Sequence, residues 1–289
     1  MGKMVEIRTL NNVSMEKVYE AFHTAFADYV EPFDLSYEQL KYMVERRGCR
    51  LDMSFGAFHG DDLVGFTLNG IGHWNGQLTA YDTGTGIVKE FRKQGIATRM
   101  FNESLPVLKG NKINQYLLEV IKTNTSAFDL YKKAGFRITR EFDYYVAPES
   151  ELVVNIATAH GLFVTKELDI PNWEQFKRLW DFEPSWQNSI DSINRKLEYF
   201  IFLGLFDNAN LIGYGIIEEH SGDIPQIAVA KEYRNRGLGK VLLKKLLEKS
   251  DSTQIKIINS DAGSQPFKKF CESINLTPGP GQYEMLLQL

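Results

Sequence analysis

Cysteine is scarce: the 289-residue chain has two, Cys49 and Cys271. Two cannot form a disulfide framework or a Cys-rich zinc site, which fits a reducing compartment. A basic excess is also missing. With 33 Lys and Arg against 37 Asp and Glu, the formal net charge is -4, so the chain as a whole is not drawn to nucleic-acid phosphates or anionic lipid. The longest apolar run, 199–206, suits a strand and is far too short to cross a bilayer. Residues 1–10 are charged and hold no apolar h-region, and Glu6 stands where myristoylation wants Ser or Thr. A soluble, cytoplasmic protein with no nucleic-acid or membrane partner is expected.

Several short signatures are absent as well. No Gly-x-Gly-x-x-Gly, Gly-x-x-x-x-Gly-Lys-Ser/Thr, Gly-x-Ser-x-Gly or His-Glu-x-x-His occurs. Dinucleotide, nucleoside-triphosphate, nucleophile-elbow and zinc-pair chemistry thereby lose their main support. The five histidines, at 23, 59, 73, 160 and 220, are dispersed and are read as ordinary residues, with no metal site.

What is present is one plan written twice. With 43% hydrophobic and 12% aromatic residues the chain can bury real cores. Residues 54–58 and 63–70 read as a hairpin around the turn 59–62, and 199–206 and 211–217 repeat it around 207–210. Asn75-Gly76 supplies a tight turn into the strand 77–88. In the second half Ser221-Gly222 leads into 223–230. Each strand then meets a basic, glycine-containing loop and an amphipathic helix, a buried-type strand (116–121, 255–258), a short helix and a last strand. Arg92 and Arg234, and Gly95 and Gly237, are both 142 apart, while Phe136 and Leu276 are 140 apart. Two units are expected, 1–150 and 162–289, joined by 151–161 as a linker, with 152–156 as an alternative last strand of the first unit.

The two loops, Arg92-Lys93-Gln94-Gly95-Ile96-Ala97 and Arg234-Asn235-Arg236-Gly237-Leu238-Gly239, lie at strand-to-helix junctions. Unpaired N–H groups at a helix start suit an anion, and small residues let a diphosphate approach the backbone. The bland reading is a tight connection with an exposed basic residue. The run Thr83-Gly84-Thr85-Gly86 is unusual inside a strand and marks either a bulge or close approach of a ligand.

This order of elements, with Arg-x-x-Gly-x-Ala followed by Asn124-x-x-Ala127-x-x-x-Tyr131-x-x-x-Gly135-Phe136, resembles the GNAT acetyltransferase superfamily. The resemblance covers about 54–146 and then the chain from about 199. It implies an α/β (α+β) fold of two tandem units, each a mixed, mostly antiparallel sheet with a central splayed parallel pair and flanking helices. It also implies acetyl-CoA as cofactor, lying along the strand edge 83–88, with the Thr85 amide near the thioester carbonyl and Ile87 and Val88 beside the pantetheine. The diphosphate then falls to Arg92, Lys93, Gln94, Gly95, Ile96, Ala97 and Thr98, with Asn124 and Ala127 in cofactor contact and helix packing. Tyr131 takes the position of the proton donor. Asp82 is the candidate base, or points away because adjacent strand residues face opposite sides; Glu119 is the second candidate.

The second unit departs from the pattern. Cys271 stands opposite Tyr131, Ser264 opposite Asn124, Phe267 opposite Ala127 and Asn275 opposite Gly135, while the loop is kept. A cysteine can donate a proton in principle. The second-unit cofactor candidates are Val229, Arg234, Arg236, Gly237, Leu238, Gly239 and Lys240. The leading expectation is an N-acetyltransferase with a catalytic first unit and a small-molecule or peptide amine acceptor. A CoA-binding regulatory or sensor module without turnover, and transfer to a thiol or hydroxyl, stand beside it. Phe22, Phe26, Tyr29, Trp74 and Tyr81 are either core or acceptor pocket. The segment Phe182-Glu183-Pro184-Ser185-Trp186-Gln187 has no assigned purpose, and a monomer with two units or a homodimer fits equally.

Overall fold

The computed structural model describes residues 4–28, 34–155 and 163–289. The elements in order are β1 (Val5–Thr9), α1 (Met15–Phe26), α2 (Tyr37–Arg46), β2 (Phe55–His59), β3 (Asp62–Trp74), β4 (Gln77–Ile87), α3 (Ile96–Gly110), β5 (Gln115–Ile121), α4 (Thr125–Lys133) and β6 (Arg137–Pro148). They continue with β7 (Phe163–Glu167), α5 (Trp173–Lys177), α6 (Ile190–Asn194), β8 (Phe200–Asp207), β9 (Asn210–Glu218), β10 (Gln226–Val229), α7 (Leu238–Leu247), β11 (Gln254–Asp261), α8 (Gln265–Ser273) and β12 (Gln282–Gln288). The expected mixed α/β plan and its repeat are both present. Among the described residues no helix is long and apolar enough to cross a membrane.

Local chemistry explains the boundaries. Ser14 caps α1 by accepting from the Lys17 N–H, and Ser36 and Gln39 form a reciprocal capping box on α2. Asn75 and Gly76 both take positive φ, 51° and 74°, the geometry that a two-residue hairpin between β3 and β4 requires.

Two compact units divide the chain, one of residues 1–120, 124–139 and 284–289, the other of 121–123 and 140–283. This differs from the contiguous division expected at 150. In the second unit β6 pairs antiparallel with β11, Gln254 opposite Pro148 through Ile257 opposite Tyr145, and lays Tyr145 and Ala147 on that unit's core. In the first, Thr139 Oγ1 donates to Glu284 Oε1 at 2.7 Å and the Leu289 N–H donates to the Asn114 carbonyl at 2.9 Å. Period-two alternation marks a strand without saying which edge it takes, so the sequence held no sign of this exchange. Residues 152–155 are irregular rather than an extra strand, with Leu152 and Val154 against the second core; the rest of the expected linker lies outside the described residues.

The first unit has the strand order β1-β2-β3-β4-β5-β12, antiparallel from β1 to β4 and parallel between β4 and β5. One face packs on α1 and α2 through Val18, Phe22, Leu40, Phe58, Phe66 and Leu68; the other packs on α3 through Ala57, Val64, Ile96 and Met100. The second unit has the sheet β10-β9-β8-β7 and the β6–β11 pair. Its larger core gathers Leu242, Leu243, Leu246, Ile255 and Ile257.

Phe66 has no exposed surface and stacks on Phe22 with ring centroids 5.8 Å apart. Phe66→Ala should destabilise the first unit by about 3–5 kcal/mol in urea unfolding, from lost transfer energy and the cavity left behind.

Candidate active site

The site begins with a mismatch between strands. β4 and β5 pair at Thr79–Gln115, Ala80–Tyr116 and Tyr81–Leu117 and no further, although both continue for several residues. On its other side β4 stays laddered to β3 as far as Ile87 opposite Gly65. The register with β3 slips between Asn69–Asp82 and Leu68–Gly84, so Thr83 is an extra, bulged residue. Beyond Tyr81, β4 therefore offers its main chain to the gap. A Cβ added at Gly84 would meet nothing within 4 Å.

Asp82 sits where the strands part. Its Oδ2 accepts from Tyr131 Oη at 3.0 Å and from Thr85 Oγ1 at 2.9 Å. Thr85 Oγ1 is also 3.0 Å from Thr67 Oγ1; with its single proton used toward Asp82, Thr67 acts as the donor in that contact. Asp82 Oδ1 is shut off from solvent and has no hydrogen-bond partner among the described residues. Burial raises the Asp82 pKa to about 6, against the opposing bonds from Thr85, Tyr131 and the Gly84 backbone and the charge of Arg47. The structure thus brings Tyr131, Asp82 and Thr85 together. Tyr131 is held from α4, its ring 5.6 Å from that of Phe136, which in turn contacts Phe101 and Tyr116.

Other candidates fall elsewhere. Glu119 Oε2 accepts from Tyr81 Oη at 2.9 Å, and Tyr81, next to Asp82 on the pleat, faces the opposite side of the sheet. Phe22, Trp74 and Tyr81 are buried, Phe26 packs against the α1 and α2 core, and Tyr29 lies outside the described residues. Ile87 and Val88 put their side chains into the two cores. The Val88 N–H donates to the Val64 carbonyl, the Val88 carbonyl accepts from the Phe91 N–H and the Ile87 carbonyl accepts from Arg92, so the main chain of Val88, expected beside the pantetheine, is engaged within the unit. Asn124 caps α4, its Oδ1 accepting from the Ala127 N–H at 3.1 Å.

The phosphate-type loop has an arrangement that sequence reasoning missed. Arg92 donates through Nε to the Ile87 carbonyl, through Nη2 to the Ala25 carbonyl and Asp28 Oδ1, and through Nη1 to Asp28 Oδ2. Four of its five N–H donors are used within the chain. Arg92 is a brace for the loop, and an anion there is left to main-chain donors. Gly95 at φ +73° begins α3, and no side chain caps that helix, in contrast to α1, α2 and α4. Ile96 is buried in the core, while Lys93, Gln94, Gly95 and Thr98 are exposed and Ala97 is half-buried. Arg234 repeats the brace, with Nε to the Val229 carbonyl at 2.8 Å and Nη1 to Asp181 at 2.9 Å, and Gly237 at φ +78° begins the uncapped α7. Asp28 and Asp181 are 153 apart, outside the repeat of 142, so no spacing pointed to them.

At the other end of its cleft the second unit has none of this chemistry. The repeat places Ile224 and Ile227 opposite Asp82 and Thr85. Cys271 is buried in the core, where burial pushes its thiol up to about 12, so it is no donor to a cleft. The unassigned segment 182–187 has its purpose here. Asn188, just beyond it, donates to the Ile258 carbonyl of β11 and accepts from Gln226 of β10, so the segment fills the space between those strands. Phe182 meets Phe267 edge to face at 5.7 Å. Phe267, Ile227, Ala228 and Asp181 line both of two cavities, about 50 Å³ beside Trp180 and Tyr214 and about 880 Å³ beside Val229, Arg234, Gly237 and Lys240. The shared residues divide the cleft.

These features have counterparts among known proteins. A family model described as acetyltransferase (GNAT) family matches residues 15–136 and again 166–270. N-alpha-acetyltransferase 30 of Schizosaccharomyces pombe is 34% identical over 97 residues, 33% of this chain and 65% of the relative, so less than two thirds of that protein is spanned. The tandem GNAT protein from the clavulanic acid biosynthesis pathway superposes with a TM-score of 0.73 at 13% identity, over 99% of this chain and 98% of that one. A GCN5-related N-acetyltransferase from Sphaerobacter thermophilus gives 0.72 at 12%, over 98% and 95%. At such identities the two structures attest the fold. With the family model matching most of the chain in two places, each over a hairpin, strand, glycine loop and helix, the chain belongs to the GNAT acetyltransferase family in its tandem form.

Proposed function

We propose that the first unit moves an acetyl group from acetyl-CoA to a primary amine of a small molecule or peptide by direct attack, and that the second unit does not turn over. The observation that carries this is the Asp82 carboxylate, bonded through one oxygen to Tyr131 and Thr85 with the other buried and unpartnered among the described residues. The residues suit such a cofactor: β4 has a free edge, and a Cβ at Gly84 or Gly95 would enter open space. Main-chain groups of the strand edge from Thr83 to Ile87 would hold the pantetheine, and the loop from Arg92 to Thr98 the diphosphate. When bound, acetyl-CoA supplies the acetyl group as a thioester.

An alkyl amine with a pKa of about 10 must lose a proton to attack, and the departing thiolate gains from receiving one. The Asp82 carboxylate takes the amine proton. Tyr131 gives its hydroxyl proton to the sulfur, and its 3.0 Å bond to the carboxylate lets the proton gained by Asp82 replace the one lost. The side chains therefore end the cycle as they began it.

Calorimetry and thiol release with acetyl-CoA test the reading. Tyr131→Phe should lower kcat by about 10²-fold with cofactor affinity unchanged; an unchanged kcat removes Tyr131 from the reaction. Gly95→Trp should abolish binding in the first unit and all turnover, while Gly237→Trp leaves turnover intact, and equal loss from both would overturn the division of roles.

The Asp82 carboxyl also gives a pH signature. Its pKa is raised on folding, from 3.8 to about 6, so between those values the folded chain keeps a proton that the unfolded chain has lost, and stability falls as pH rises through that window. Asp82→Asn should lack this slope and gain on the wild type by about 2 kcal/mol from pH 4 to 7 in urea unfolding, while losing activity. In the wild type kcat/KM should fall below about pH 6.

A further inference from the structure

We propose that Arg47 is a positioning residue for Asp82, clamping the bulge of β4 so that the carboxylate is held against Tyr131 with a positive charge beside it. The inference rests on the reading of Asp82 as the base and adds a residue outside every motif in the sequence.

The clamp is built from the end of α2. Arg47 is its C-cap, and Gly48 follows in the left-handed region at φ +73°, turning the chain back as glycine permits. The next residues run alongside β3. The Ile71 N–H donates to the Gly48 carbonyl and the Arg50 N–H to the Asn69 carbonyl, both at 2.9 Å, with Cys49 bridged to Gly70. A side chain at Gly70 would put its Cβ 2.3 Å from the Arg47 carbonyl oxygen, so the missing Cβ is what lets Arg47 lie this close over β3. Its side chain crosses β3 and Nη1 donates to the Thr83 carbonyl of β4 at 3.0 Å.

Thr83 is the residue that the bulge sets outside the β3 ladder. A bulge leaves main-chain groups in need of partners and re-aims the adjacent side chains. Arg47 satisfies the carbonyl of the bulged residue and fixes the turn immediately after Asp82. Cationic hydrogen bonds are stronger than neutral ones, which suits a contact that must hold one geometry. The groups that face Asp82 electrostatically include Tyr131 from α4, Tyr116 from β5, Cys49 from the segment after α2, and Arg47. Arg47 is the cation among them. Its charge favours the ionised carboxylate, offsetting part of the burial that raises its pKa.

The full-length protein carrying ¹³C-labelled aspartate is titrated by NMR, the Asp82 signal being assigned by its loss in Asp82→Asn. Arg47→Gln should raise the Asp82 titration midpoint by about one pH unit, and Arg47→Lys, which keeps the charge, should leave it near the wild-type value. Gly70→Ala, which displaces Arg47 from the other side, should raise it as Arg47→Gln does. In thiol-release assays the acid limb of kcat/KM should move up in parallel, with KM for acetyl-CoA unchanged. An unmoved midpoint in Arg47→Gln, or a rise in Arg47→Lys as large as in Arg47→Gln, overturns the proposal. If the wild type transfers no acetyl group to any amine, the functional reading fails, and the titration still decides the clamp.

Discussion

The structure of the first unit depends on β4 leaving β5 after three residue pairs while staying laddered to β3. An unsatisfied strand edge inside a protein is costly unless something pairs with it. That cost makes the edge a place for a ligand that can behave like a strand. The bulge at Thr83 falls at the point of parting, so the geometry that opens the gap also turns Asp82 toward the helix carrying Tyr131. The opening and the contact between Asp82 and Tyr131 share one backbone irregularity.

The two units share one half of this design and differ in the other. Both loops start an uncapped helix at a left-handed glycine, and both are braced by an arginine that binds the carbonyl five residues before it and a distant aspartate. At the far end the second unit places isoleucines, a core cysteine and a segment that occupies the gap. A loop held by main-chain geometry tolerates substitution around it. An acid–base pair needs two side chains within hydrogen-bond reach, and a single exchange removes it.

Much of this was legible. The fold class, both hairpins and the Asn75-Gly76 turn were readable because alternation and turn chemistry are local signals. The grouping of Asp82, Thr85 and Tyr131 was reachable through the family resemblance, carried onto these positions by the loop and the Asn-Ala-Tyr-Gly-Phe run. Whether Asp82 faced inward was not, because a bulge shifts the pleat by one residue and no composition rule places it. The arginine braces were hidden for another reason: their partners lie in helix ends and irregular segments outside the repeat. The exchanged strands were hidden because alternation is indifferent to which edge a strand joins.

That exchange has a temporal consequence. The first unit contains residues 284–289, so during synthesis it cannot be completed when residue 139 emerges. At roughly 5–20 residues per second the ribosome needs about 7–30 s more before its last strand exists. Until then β5 has an open flank, a state in which nascent chains are prone to mispairing. The chain of the second unit is therefore made before the first unit can close.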